Sequence, residues 1–362
     1  MEQSSRSGPL AGLRCVEFAA MGPGPHCAMM LSDLGADVLR IERPSPAAFA
    51  VNPVTERGRT KLVLDLRQPE NAARALEIVS RADVLLEGNR PGVMERLGLG
   101  PTDALAANPR LIYGRMTGWG QEGPLAARPG HDLSYLAITG ALHAFARRDE
   151  LPVPPMNLVA DFGGGSMFLM TGILAALWER ERSGRGQIID AAIIDGVATL
   201  FAGAVGHVAT GALSLERGHN FLVGASNYYR VYLCKDGKEI AVAAVEPQFY
   251  RSLLEGIGAP LEWAEDQYDP SVWAERSAAM ASIFLTRTRD EWTAILEDTD
   301  ACAAPVLEFR EVPSHRQVQA RSGYVVHEGI VQATPAPRFS RTPGAIAPSE
   351  PGEVMLSRWG LG

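Results

Sequence analysis

The sequence predicts an α/β protein: a large domain built on a mostly parallel sheet, followed by a smaller α+β domain. Two patterns carry this. The N-terminal third alternates short β-branched or apolar runs with helical periodicity, and from about residue 229 that alternation gives way to a hairpin pattern and Trp-bearing helices. A chain of 362 residues, 46% hydrophobic and 21% charged, also has enough apolar material for two domains and no compositional sign of disorder.

The elements follow in order. Residues 14–18 form a strand, 26–34 a helix closed by Gly35 as its C-cap, and 38–41 a second strand, which together make a β-α-β unit. The pattern repeats as strand 62–66, helix 70–80, strand 83–86, a short helix at 93–97 and strand 111–116. The Gly- and Pro-rich stretch 117–130, TGWGQEGPLAARPG, precedes a helix opening at His131 or Asp132. DFGGGS (161–166) reads as a second Gly-rich break leading into a buried apolar helix at 167–178, and 186–194 as a further strand or strand-helix junction. Residues 229–233 and 239–245, joined by the turn KDGK, form a hairpin, followed by helices at 249–257 and 292–297. The Pro-rich stretch 333–352 reads as a linker or wrapping tail. The expected boundaries are therefore a Rossmann-like domain over 1–200, completed by 340–362, a linker at 201–228, the small domain at 229–327 and a return linker at 328–339.

Composition bounds the function. A net charge of −8 argues against general nucleic-acid binding, which needs a basic surface to neutralise phosphates. The apolar run 167–178 is about twelve residues, too short to span a bilayer. The opening MEQSSRSGPL holds no signal-peptide core, so the expectation is a cytoplasmic protein. Cys15, Cys27, Cys234 and Cys302 show no CxxC or metal-ligand spacing and read as free thiols, with no metal site expected.

GPGPHC (22–27) follows a strand and precedes a helix, as a dinucleotide fingerprint does. The fit is poor: Cys27 replaces the third glycine, and Pro23 and Pro25 have no N–H to offer a pyrophosphate. A turn stiffened by its prolines accounts for the segment equally well. Cys302 has no activating neighbour in sequence, and His26 has no proton partner within its own segment.

Three polar sites stand at the edges of apolar or Gly-rich elements: Gly130-His131-Asp132, Asp161 with Gly163 to Gly165, and Glu246 before PQFY. Each has a plain structural reading as well. Asp161 and Asp132 suit helix caps, His131 a satisfied loop residue, and Glu246 a surface charge. Here the sequence resembles a known family. GHDLSY (130–135), NLVADFGGGSMFL (157–169) and AVEPQFY (244–250) are similar to the motifs of α-methylacyl-CoA racemases, in the family III CoA-transferase superfamily. GPGPHCAMMLSDLGADVLRIERP and MTGWGQEGP resemble it too, and the similarity runs in order from about residue 13 to about residue 341.

The resemblance implies that His131 and Asp161 are the catalytic bases and that Glu246 hydrogen-bonds and orients His131. It assigns the coenzyme A portion of the substrate to Arg43, to Leu64, Asp65, Leu66 and Arg67, to Gly88, Asn89 and Arg90, to Arg96, and to Gly130, Asp132, Leu133, Ser134 and Tyr135. It further implies an interlocked homodimer in which Glu246 reaches the site from the opposite subunit, and no cofactor beyond the coenzyme A that the acyl-CoA substrate itself carries.

The chemistry asks for such a set. A hydrogen on the carbon beside a thioester is weakly acidic, so its removal needs a placed base and donors for the enolate oxygen, and inversion needs a proton delivered to the opposite face. Neutral His131 with protonated Asp161 would process one epimer, and protonated His131 with ionised Asp161 the other. A helix start at Asp161 favours its anion while burial favours the neutral acid, and the sequence leaves that balance open. Gly163 to Gly165 allow either close approach of a ligand, with an amide at the helix head as donor to the enolate, or close helix packing. The arginines suit phosphates, and Met29, Met30, Met167 and Met170 offer an adaptable lining for an acyl chain. The rival reading is a CoA transferase with Asp161 as nucleophile, which has no need of a second base at His131.

Overall fold

The computed structural model describes residues 6–44, 52–217 and 219–361. The first half of the segment read for a signal peptide therefore lies outside the described residues. The chain divides into two compact units, one of 1–139, 155–201 and 320–362, the other of 140–154 and 202–319.

The first unit is built on six parallel strands: β1 (Arg14–Phe18), β2 (Asp37–Glu42), β3 (Thr60–Val63), β4 (Val84–Glu87), β5 (Ile112–Thr117) and β6 (Gln187–Ala192). Their order is 3-2-1-4-5-6. The winding reverses between β1 and β4, so the loops after these two strands diverge and leave a crevice beyond their C-terminal ends. On one face, Val16, Phe18, Leu39, Ile41, Leu85 and Tyr113 pack with Ala75, Ile78 and Val79 of helix Pro69–Val79 and with Met355 and Leu356 of helix Gly352–Arg358. Each fully buried Leu or Ile of this kind stabilises by roughly 1.5–3 kcal/mol. The Pro-rich stretch 333–352 is thus followed by a helix that completes the core.

Buried charges sit on neighbouring positions of β1 and β2. Glu17 pairs with Arg40 and, at 3.1 Å, with Arg59, while Arg40 also reaches Glu42 at 2.8 Å. Arg59 donates at 3.0 Å to the carbonyl of Pro25, which ties the head of helix Pro23–Asp33 to the network. Pro23 and Pro25 lie inside the first turn of that helix, where a missing N–H leaves no intrahelical bond unmade. Gly35 has φ +101°, as a C-cap requires.

Four differences from the sequence expectation bear on function. The strand expected at 62–66 lies at Thr60–Val63, which frees 64–67 as a loop at the strand end. The DFGGGS run is no break: it belongs to a π-helix, Leu158–Ser166, with Phe162 N–H donating to Asn157 five residues back, that continues into helix Met167–Ser183. The continuous segment Leu158–Ser183 is 26 residues, long and apolar enough by length and composition to cross a membrane, so the length argument drawn from 167–178 does not hold. Its core-helix character rests instead on Leu169, Met170, Ile173 and Ala176, which are buried. Finally, the stretches expected as linkers carry structure: helix Ala202–Ala209, and strand Ile330–Ala333, which pairs antiparallel with Tyr324–His327.

In the second unit β7 (Tyr229–Leu233) and β8 (Glu239–Ala243) form the expected antiparallel hairpin, with Gly237 in the turn at φ +76°. Strand Ala303–Pro305 adds to β8, and helices Pro247–Ile257, Pro270–Phe284 and Arg289–Leu296 bury Tyr250, Leu254, Trp273, Phe284 and Trp292 in a separate core.

Candidate active site

The loops at the C-terminal strand ends of the first unit line connected cavities. One of about 540 Å³, at the ends of β1 and β2, is bordered by Arg43, Leu64, Asp65, Leu66, Arg67, Asn89 and Arg96. A second of about 450 Å³ is bordered by Gly22, Gly88, Asn89, Arg90, Trp119, Gly130, Tyr135, His131 and Asp161. A third opening shares Arg43, Asn89 and Arg96 with the first and Gly88, Asn89 and Arg90 with the second. Most of the residues singled out in the sequence therefore meet along one groove that carries arginines at one end and a His–Asp pair at the other. Arg67 forks onto Asp65 with two 2.8 Å bonds, but its side chain is exposed and the pair is weak.

His131 precedes helix Asp132–Ile138. Its backbone N–H donates to Ser134 Oγ at 2.9 Å, and that hydroxyl donates to the His131 carbonyl at 2.7 Å, which fixes the backbone that carries the imidazole. Asp161 lies in the π-helix, an arrangement in which one wider turn shifts side chains out of α-helical register and which recurs at functional positions. Its amide N–H donates to Asp132 Oδ2 at 2.8 Å. Burial, and then the negative charge of Asp132, push the Asp161 carboxyl up to about 6, against the downward pull of His131 and a hydrogen bond from Asn157. A carboxyl titrating there is present in both protonation states around neutral pH, so it can take up a proton and give one back.

Three glycines make room for this geometry. A Cβ on Gly22 would sit 3.0 Å from Asp161 Oδ2, and Gly22 has φ +70°. A Cβ on Gly130 or Gly118 would overlap the Tyr135 ring, which stands edge-on to Trp119 at 4.7 Å. Burial and the neighbouring Asp161 charge raise the Tyr135 phenol, while Arg90 opposes them.

Several expectations need correction. Asp132, Leu133 and Ser134 do not border these cavities: Asp132 binds the π-helix backbone, Leu133 is an exposed side chain, and Ser134 holds His131. The amide of Asp161, at the head of the glycine run, is taken by Asp132 and is no donor to an enolate. Gly164 and Gly165 serve packing: Cβ atoms there would press on Val197, Ile193 and Pro23, and one on Gly196 would overlap the Gly164 carbonyl. Of the methionines, Met21 and Met116 border the cavity, whereas Met170 is buried in the core and Met29, Met30 and Met167 are absent from the lining. His26 has a proton partner after all: its Nδ1 lies 2.7 Å from Ser166 Oγ, and its ring stacks on Phe162 at 4.4 Å. The partner is 140 residues away in sequence and no local pattern announces it. Glu246 belongs to the second unit, exposed at the start of helix Pro247–Ile257 near Tyr268 and Cys302.

The model of CoA-transferase family III matches residues 10–353. The chain belongs to that family. Among curated members, the alpha-methylacyl-CoA racemase of Mus musculus is 42% identical over 335 residues, 92% of this chain and 87% of that protein. The alpha-methylacyl-CoA racemase of Homo sapiens is 41% identical over the same shares. Among solved structures, a CAIB/BAIF family protein from Brucella suis superposes with a TM-score of 0.79 at 26% identity, covering 98% of this chain and all of that one. The family III match spans the strand-end groove and both elements that carry the His–Asp pair.

Proposed function

We propose that this family III protein is a racemase of 2-methylacyl-CoA and similar 2-substituted acyl-CoA thioesters. The observation that carries the reading is that His131 and Asp161 border one cavity while the Asp161 carboxyl titrates at about 6, close to the pH at which it must exchange protons. In one direction His131 takes the α-hydrogen as a proton and protonated Asp161 returns one to the opposite face. In the other, ionised Asp161 takes it and His131 returns it. Charge develops on the thioester oxygen and collapses again, and one turnover leaves His131 protonated and Asp161 ionised, the form that processes the other epimer; a turnover in reverse, or proton exchange with solvent, restores the starting form. The arginine end of the groove, Arg43 and Arg96 with Arg67, suits the phosphates of coenzyme A, since guanidinium forks match phosphate oxygens.

The reading includes a homodimer, with Glu246 of one copy orienting His131 of the other. Supporting it, Met167, Leu174 and Trp178 on one helix and Ile188 on the edge strand β6 are 40–69% exposed, an apolar set that a second copy would cover. Sedimentation velocity measures the assembly directly.

Deuterium wash-in at the α-carbon from heavy water, with each epimer of a 2-methylacyl-CoA, tests the chemistry. The expected result is exchange and interconversion from both epimers; His131→Ala and Asp161→Asn should each lose interconversion, together with wash-in from the epimer whose base has been removed. The rival that the family name suggests is CoA transfer with Asp161 as nucleophile. Full-rate transfer of CoA between carboxylic acids by His131→Ala, without wash-in by the wild type, would establish the rival instead.

A further inference from the structure

Asp132 follows His131 directly, yet its carboxylate reaches across to a different element. Oδ2 accepts the amide N–H of Asp161 at 2.8 Å, and the amide of Ala160 donates to the same carboxylate. An aspartate at the start of a helix ordinarily binds the free amides of its own first turn. Here the one short side chain with two rotatable bonds joins the backbone that carries one base to the backbone that carries the other. We propose that Asp132 is a positioning residue that clamps His131 and Asp161 at a fixed separation. The inference rests on the racemase reading for its consequence, and on the clamp alone for its geometry.

The surroundings of Asp161 leave this role to Asp132. Helix Asp132–Ile138 presents His131, Asp132 and Tyr135 to it, and Arg90, in the loop after β4, acts on Tyr135 from the same cavity wall. The head of helix Pro23–Asp33 brings Gly22 and Pro23, without charge, and His26 stacks on the neighbouring Phe162. Helix Ile193–Leu200 brings Ile193, Val197 and Leu200 against the glycines. Among these, Asp132 is the negative charge that raises the Asp161 carboxyl, and His131, together with a hydrogen bond from Asn157, lowers it. The clamp therefore does two things through one side chain. It sets distance by its hydrogen bonds and proton affinity by its charge.

The test uses Asp132→Asn, which keeps an acceptor oxygen but removes the charge, and Asp132→Ala, which removes both. The Asp161 carboxyl is followed by carbon-detected NMR titration, and kcat, KM and their pH profiles by deuterium wash-in. In Asp132→Asn, Asp161 is expected to titrate about one pH unit lower. The acidic limb of kcat/KM moves down with it, and KM for the acyl-CoA stays within about twofold. Asp132→Ala should lose roughly tenfold or more in kcat, because the bases are no longer held at their spacing. An Asp161 titration unchanged in Asp132→Asn, or an Asp132→Ala enzyme with wild-type kcat, overturns the inference. A wild-type protein that neither exchanges nor epimerises sinks the racemase reading separately, and the titration, which needs no turnover, then still decides whether Asp132 governs Asp161.

Discussion

Replacing Asp161 with Asn should stabilise the protein near neutral pH while abolishing its activity. The folded carboxyl titrates at about 6 against an ordinary 3.8, because burial and Asp132 penalise its charge. The gap, at about 1.4 kcal/mol per pH unit, corresponds to about 3 kcal/mol of cost for keeping the group ionised at neutral pH. The carboxyl is only partly buried and solvent screens it, which brings the expected gain to about 1–2 kcal/mol. The sign follows from the raised value: the stabilising contribution is full below about 3.8, where the group is protonated folded and unfolded alike, and is lost as pH rises through about 6. Urea unfolding of both proteins at pH 4 and pH 7.5 measures it. Asp161→Asn should be the more stable at pH 7.5 and nearly equal to wild type at pH 4. Equal stability at pH 7.5, or an advantage of the same size at both values, would refute the account of the carboxyl as a strained base.

Two further perturbations test what holds the site. A methyl group at position 196 would overlap the Gly164 carbonyl, so Gly196→Ala should displace the π-helix and cost roughly 1–3 kcal/mol by overpacking, read as a lower urea midpoint together with a fall in kcat. Arg59→Met removes one of the two cationic partners of Glu17 and the donor to the Pro25 carbonyl, leaving Glu17 with Arg40 alone; a loss of about 1–3 kcal/mol is expected in the same unfolding assay, and Glu17→Gln in that background should recover part of it.

How much of this was legible in the sequence depended on whether the deciding contact was local. The four central strands, β2, β1, β4 and β5, are short runs such as RCVEF and LIYGRM, and a strand buried on both faces needs little more, so the sequence pattern places them to within a residue. Helix Pro270–Phe284, absent from the sequence expectation, is capped by Asp269, which accepts the Ser271 N–H, and its Trp273, Ser277, Met280 and Phe284 recur at helical spacing. That signal was present in the sequence. Strand Ala303–Pro305 offers three residues, one of them proline, and is a strand only because β8 lies beside it. The glycine run at 163–165 read as a break because glycine disfavours helices, and it is helical because helix Ile193–Leu200 packs too closely for a side chain. His131 and Asp161 stand out in the sequence as candidates, but the bond from Asp132 that connects them spans 29 residues and has no local trace.

The first unit has its core closed by Met355, Leu356, Trp359 and Leu361, which pack with Val16 and Leu39 from near the other end of the chain. During synthesis at about 5–20 residues per second, every strand of the large sheet leaves the ribosome before the helix that seals one of its faces. The whole of residues 202–319 emerges in between. The nascent sheet must wait on the order of ten seconds or more with that apolar face uncovered, an interval in which the second unit, continuous over most of its length, is free to fold first. A slow step in maturation, and dependence on holding chaperones, would originate at this seam between Tyr113 and Trp359 rather than at the groove where the chemistry is done.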